Sequence, residues 1–189
     1  YSNIAYTLTA YLVQELSGTD FEEYIQRNVW DPLEMRSTVF SPTPAVEERL
    51  AIPYALNDEG RPVPAVRVKA NVWPAGIVYG TVLDQANWLI ANLNGGTFEE
   101  RRVISEETLR QMHTIQFPEF AEPSEDFGGA TAGFGLTWRV TERRGERLFA
   151  HTGSVAGYTA MVMGNLDHGV GVAILTNGHR AHPHLYRLA

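Results

Sequence analysis

The last third of the chain constrains the fold most. Phe134, Leu136, Trp138 and Val140 alternate with polar or small residues, and a period of two returns at 148–150, 158–163 and 170–176. Alternation puts one set of side chains on one face of a half-buried strand. The joints between these runs are short: 142–146, and Asn165-Leu166-Asp167-His168-Gly169. Short turns between successive strands require antiparallel pairing. Within this region LFAHTGSVAGYTAMVMG, residues 148–164, predicts a strand that ends at Ala150, then His151-Thr152-Gly153-Ser154, a second glycine at Gly157, and a new strand from Tyr158. Gly153 carries no side chain, so another backbone or a ligand can come close. His151 leaves the strand beside that gap, with the Ser154 N–H directed into it. A cation-capable side chain next to an unpaired N–H is what an anion or oxyanion site needs. The alternative is a hairpin with a turn glycine and a surface histidine.

The first two thirds read differently. Ile4, Leu8, Tyr11 and Leu12 recur at helical spacing, which predicts a helix over 4–16 with Asn3 as N-cap and Gly18 at the C′ position. Thr19-Asp20-Phe21-Glu22 is a capping-box pattern opening a second helix, and Asp31-Pro32 starts a short helical turn through Met35. Six of the ten prolines fall in 41–74, which predicts loop with short extended pieces and a hairpin turn at Asn57-Asp58-Glu59-Gly60. Thr81 and Asp84 cap a helix over 81–94, and Ser105 caps a shorter one with Leu109 and Met112 inward. Residues 116–132 are acidic and rich in Gly and Pro, and read as a mobile loop. Helices followed by an antiparallel meander define an α+β class, an antiparallel β-sheet packed with helices, in a single domain over 1–189. Tyr1 standing at a helix start, and a tail that stops soon after a strand, lead to the expectation that this domain is incomplete at its N-terminus and also at its C-terminus.

Composition narrows the partners. With 15 Lys and Arg against 22 Asp and Glu the formal net charge is −7, and no basic patch invites nucleic acid. No apolar run spans a bilayer and no signal segment is visible, so localisation stays open. Cysteine is absent, which excludes disulfides and thiolate chemistry. Among the 15 basic residues Lys69 is the one lysine. His179, His182 and His184 form a loose cluster without an adjacent acidic partner, and no metal or other cofactor is expected. Trp30, Trp73, Trp88 and Trp138 sit in apolar patterns and read as core, while Trp73-Pro74-Ala75-Gly76 borders any cleft.

Tyr1-Ser2-Asn3 puts a phenol and an amide at a helix N-terminus, where negative charge is favoured. A phenol with pKa near ~10 serves as a base at neutral pH only if cations depress that value. Read alone, Asn3 is a plain N-cap and Tyr1 a terminal residue. Five stretches together say more: Tyr1-Ser2-Asn3 with its helix, SGTDFEEYIQRNVWDPLEMRSTVF, PAGIVYGTVLDQANWLIANLNGG, FGLTWRV, and HTGSVAGYTAMVMGNLDHGVGVAILTNG. In this order the chain resembles the serine β-lactamase and penicillin-binding-protein-like hydrolases, in the branch of class C β-lactamases, DD-peptidases and esterases.

The resemblance implies a serine acyl-enzyme and hydrolysis of an ester, amide or β-lactam, with a small-molecule or peptide acyl substrate. The family's Tyr-x-Asn falls on Tyr1 and Asn3, and its Lys-Thr-Gly or His-x-Gly on His151, Thr152 and Gly153. By that likeness Tyr1 is the general base and Asn3 binds a substrate amide. His151 polarises the tyrosine and, with Thr152 and Gly153, holds substrate. The Ser154 N–H is half of the oxyanion hole. Histidine in place of lysine is a weaker carboxylate anchor, which tilts the parent toward ester, lactone or peptide hydrolysis. The family's Ser-x-x-Lys has no match: the residues three after Ser2, Ser17, Ser37, Ser41, Ser105, Ser124 and Ser154 are Ala5, Asp20, Phe40, Pro44, Thr108, Phe127 and Gly157. The expectation is therefore a catalytically silent C-terminal portion of a serine hydrolase, whose candidate partner is the N-terminal part of the same protein. The rival is a non-catalytic ligand- or protein-binding domain that keeps the family's shell. Members are often periplasmic or extracellular.

Overall fold

The computed structural model describes residues 2–67, 73–124, 127–155 and 157–178. Helix α1 (Asn3–Ser17) opens the chain, and Gly18 closes it in the left-handed conformation, with φ 66°. Its cap differs from the sequence reading. The Ser2 hydroxyl accepts from the Ala5 N–H, and Asn3 is already the first helical residue. A serine hydroxyl reaches an orphan N–H three residues on as well as an amide does, and here it sits one position earlier. Helix α2 (Phe21–Ile25) is capped by Asp20, whose carboxylate accepts from the N–H groups of Glu22 and Glu23, rather than by Thr19. It runs on into a wider turn, Gln26–Trp30.

The proline-rich stretch holds a short helix α3 (Pro44–Glu47) and a small hairpin, β1 (Tyr54–Leu56) with β2 (Pro62–Pro64), turned at Asn57–Gly60 as the sequence predicts. Helix α4 (Val82–Leu93) has Thr81 as its cap, the hydroxyl accepting from the Asp84 N–H. The Asp84 carboxylate is buried and accepts from the Thr38 hydroxyl at 2.7 Å and the Ser37 N–H at 2.9 Å, which ties the proline-rich stretch to α4. A two-residue ladder, β3 (Thr97–Phe98) with β4 (Arg101–Arg102), leads to α5 (Glu106–Met112), capped by Ser105.

The main sheet has six strands in the order β10-β9-β8-β7-β6-β5, all antiparallel. They are β5 (Glu122–Ser124), β6 (Ala130–Phe134), β7 (Arg139–Arg143), β8 (Glu146–Val155), β9 (Tyr158–Asn165) and β10 (Val170–Thr176). Two expectations change here. Residues 116–132 are not one loop, since they supply β5 and the start of β6. The alternation from Phe134 to Val140 is not one strand either: the chain turns between Gly135 and Trp138, the Gly135 N–H donating to the Trp138 carbonyl at 2.9 Å. Only the residues after the turn, Trp138 and Val140, join the core, while Leu136 in the turn is exposed.

That core lies on one face of the sheet. Register places Val140 opposite Phe149, and His151 opposite Val162. Trp138, Val140, Phe149 and Val162 pack with Leu89 of α4, and Met112 of α5 closes the layer. A second apolar cluster, Trp30, Leu33, Met35, Phe40, Ala91 and Phe98, fills the space between α2, α4 and the proline-rich stretch. Burying an aliphatic or aromatic side chain of this size contributes about 1.5–3 kcal/mol. The tryptophans follow: Trp30 and Trp138 are buried, and Trp73 and Trp88 pack at the margins. Along α1, by contrast, Ile4, Leu8, Tyr11 and Leu12 stay exposed; the helix leans on the rest through Ala10, through the Tyr11–Trp73 ring contact, and through a Thr7 hydroxyl bond to the Trp73 carbonyl at 3.3 Å. Among the described residues no helix is long and apolar enough to cross a membrane.

Candidate active site

The site is made by the strand that the sequence reading ended too soon. β8 does not stop at Ala150. It runs to Val155 and pairs with β9 throughout: His151 with Val162, Thr152 with Met161, Gly153 with Ala160, Ser154 with Thr159, Val155 with Tyr158. Its other neighbour stops first, because the register with β7 ends at Arg139 opposite Ala150. The five residues after Ala150 therefore run past β7 and form an edge along which a ligand backbone can lie.

A groove of about 1300 Å³ runs along that edge. His151, Thr152, Gly153 and Ser154 line one side, and Asn3 and Tyr6 of α1 line another. The Tyr6 hydroxyl donates to the Leu136 carbonyl, so α1 is fastened to the turn between β6 and β7. Pro74, Ala75, Gly76, Ile77, Val78 and Tyr79 line the groove too, in a segment that the Val39–Tyr79 bridge fastens just before α4. Ile77 has a φ of 60°, a left-handed backbone that a β-branched residue seldom adopts, at the groove's wall.

The hairpin tip closes the far end. The Tyr158 hydroxyl donates to the Ala51 carbonyl at 2.6 Å. Gly157 has a φ of 84°, and a Cβ there would stand 2.2 Å from Pro53 Cβ, so only glycine permits this contact. Asn177, just after β10, donates from its amide to the Ile52 carbonyl at 2.8 Å and accepts from the Tyr54 N–H through its own carbonyl at 2.8 Å. The proline-rich stretch is thus stitched to the sheet at three points, and its residues Leu50, Ala51 and Arg67 reach the groove.

Of the residues singled out from sequence, Asn3, His151, Thr152, Gly153 and Ser154 come together around this one groove. Tyr1, Lys69, His179, His182 and His184 lie outside the described residues. His151 is half-buried, edge-on to Trp138 with ring centroids 6.4 Å apart. Gly153 and Ser154 are exposed to the groove, and the Ser154 hydroxyl lies 3.5 Å from the Tyr158 carbonyl. Beneath them His113 stacks on Phe149 at 4.4 Å and stands 6.1 Å from Trp138. Burial, helped by the charge of Arg147, lowers the His113 pKa to about 4, so this ring is neutral at physiological pH. Sequence reasoning missed His113, Arg67 and Arg139. Arg67 lies in irregular chain and His113 at the end of a short helix, so neither belongs to a pattern that announces a site.

A six-stranded antiparallel sheet with helices on its face, and a His-x-Gly on the strand end that runs past its neighbour, define a β-lactamase and transpeptidase type of domain. The family model described as Beta-lactamase matches residues 1–188, and the chain belongs to this family of hydrolases. It is 32% identical over 163 residues to the human protein beta-lactamase-like 1, covering 85% of this chain and 30% of that one. It is 24% identical over 191 residues to an unguisins hydrolase of Aspergillus campestris, covering 98% of this chain and 34% of that one. The octameric penicillin-binding protein homologue of Pyrococcus abyssi superposes with a TM-score of 0.78 at 29% identity, over 100% of this chain and 41% of that one. The chain thus spans about a third of the length of the curated relatives it matches.

Proposed function

We propose that this chain supplies the base, the substrate-binding edge strand and half of the oxyanion hole to a serine hydrolase that cleaves an ester, amide or β-lactam. The observation that supports the reading most is the shared groove: Asn3, two residues after Tyr1, lines the same cavity as His151, Thr152, Gly153 and Ser154, although 148 positions separate Asn3 from His151. In this reading the Tyr1 phenolate removes the proton of a serine hydroxyl. The serine oxygen adds to the substrate carbonyl, and the new oxyanion is held by the Ser154 N–H together with the serine's own N–H. The carbonyl re-forms as the leaving group departs with the proton from Tyr1. Water, deprotonated by the same phenolate, then cleaves the acyl-serine ester and releases the acid. Asn3 orients the substrate amide, and His151 keeps the tyrosine polarised.

No serine of this sequence stands in Ser-x-x-Lys, so the reading requires nucleophile and lysine from polypeptide other than these 189 residues. Turnover of nitrocefin and p-nitrophenyl acetate tests it, measured on the 189-residue chain and on the product of the complete reading frame. The expected result is turnover by the complete product alone. Tyr1→Phe should cost about 10³-fold in kcat, and His151→Ala about 10²-fold. Turnover by the 189-residue chain that is indifferent to Tyr1→Phe would remove these roles.

A further inference from the structure

The groove's charge is at odds with that of the chain around it. The chain carries 22 acidic against 15 basic residues, yet among the described residues no Asp or Glu lines the groove, while Arg67, Arg139 and His151 do. A cleft of one sign within a protein of the opposite net charge focuses its field on a ligand of opposite charge.

The two arginines differ in how they are engaged. Arg139 stands 4.0 Å from the Glu122 carboxylate, with its guanidinium carbon 5.0 Å from the centre of the Phe134 ring. Arg67 is half-buried, and its described polar contact is one long bond, 3.4 Å, from Nη1 to the Glu47 carbonyl. Its Nε is buried with no hydrogen-bond partner among the described residues. A buried guanidinium N–H left unbonded loses its hydration without return, and such a group in a native fold calls for a partner. A planar fork of N–H donors matches a carboxylate in two bonds.

Position fixes which part of a ligand would meet it. Arg67 touches the segment that Tyr158 binds through the Ala51 carbonyl, so it belongs to the hairpin-tip end of the groove. His151 begins the exposed edge at the other end, and Val155 closes it, a span of about 13 Å of extended strand. We infer that Arg67 is a carboxylate-binding residue and that the substrate is an elongated acyl compound with an anionic group remote from the scissile carbonyl, as in the half-ester or half-amide of a dicarboxylic acid. This rests on the hydrolase reading for the words substrate and scissile, and on the groove alone for the anion.

The test is therefore a binding measurement that needs no turnover. Trp88 and Trp138 line the groove and report occupancy by fluorescence. The 189-residue chain is titrated with 5-phenylpentanoate and with neutral 5-phenylpentanamide. The carboxylate should bind about tenfold more tightly, worth about 1.4 kcal/mol. Arg67→Gln should bring the two Kd values together, Arg67→Lys should keep part of the preference, and Arg61→Gln, an exposed arginine paired with Glu59, should keep all of it. Melting curves of the variants check that each is folded, with the lysine variant serving if the glutamine variant is not. A preference that survives Arg67→Gln, or no preference in the unaltered chain, overturns the inference. Loss of the preference in Arg67→Gln without any ester turnover by the complete reading-frame product leaves the anion site standing and removes the hydrolase reading instead.

Discussion

The two halves of β8 are one strand with two fates. From Glu146 to Ala150 it has β7 on one side and β9 on the other, and Phe149 and Ala150 are fully buried. From His151 to Val155 only the pairing with β9 continues, and Gly153 and Ser154 are exposed. Nothing in the local backbone separates the halves; both are extended and in register with β9. What differs is that β7 begins at Arg139. A binding edge is created here by ending a neighbour, and the paired half holds the open half in place.

If that division of labour is right, damage to the paired half should cost stability. Phe149→Ala empties a fully buried site under His113 and Trp138 and should cost about 3–5 kcal/mol in urea unfolding. A loss below about 1 kcal/mol would mean the core is not organised on this strand.

The layer beneath should be sensitive to acid. His113 has a pKa of about 4 in the folded chain against 6.5 for the free group, so the unfolded chain takes up the proton first as pH falls. The associated stability is whole above pH 6.5, declines between 6.5 and 4, and is gone below that. Its size is at most about 3 kcal/mol, since the ring is only partly enclosed. Replacing His113 by Phe, which can stack on Phe149 in the same way, should flatten urea midpoints across that range.

A pair of glycines gives the smallest and sharpest contrast. A Cβ at Gly164 of β9, which faces Phe149 in the paired half, would stand 2.4 Å from the Phe149 ring, while one at Gly153 in the other half meets nothing within 4 Å. Gly164→Ala should cost about 1–3 kcal/mol. Gly153→Ala should leave stability within about 0.5 kcal/mol yet weaken ligand binding in the groove. Equal effects on stability would erase the distinction between the halves.

Much of this was legible beforehand, for reasons that are local. Helix caps at Thr81 and Ser105, the turn at Asn57–Gly60 and the joint at Asn165–Gly169 were read correctly because each is a bond between residues a few positions apart. The sequence pattern ends the strand at Ala150, where the alternation of Leu148 and Ala150 stops, and pairing with β9 carries it on to Val155. Residues 116–132 read as loop because Gly and Pro hide strands whose stability comes from neighbours. His151, Gly153 and the Ser154 N–H are legible from local chemistry as a candidate anion site, whereas the part of Asn3 comes from likeness to a family.

By itself, then, the sequence determined the α+β class, the antiparallel meander and the positions of its turns, since those follow from side-chain periodicity and from short-range hydrogen bonds. Only the tertiary structure decided that β7 begins level with Ala150, that Asn3 and the His151 edge share a groove, and that Arg67 reaches into it. Those facts depend on which strand outlasts its neighbour and on contacts across more than a hundred residues, where no local preference acts.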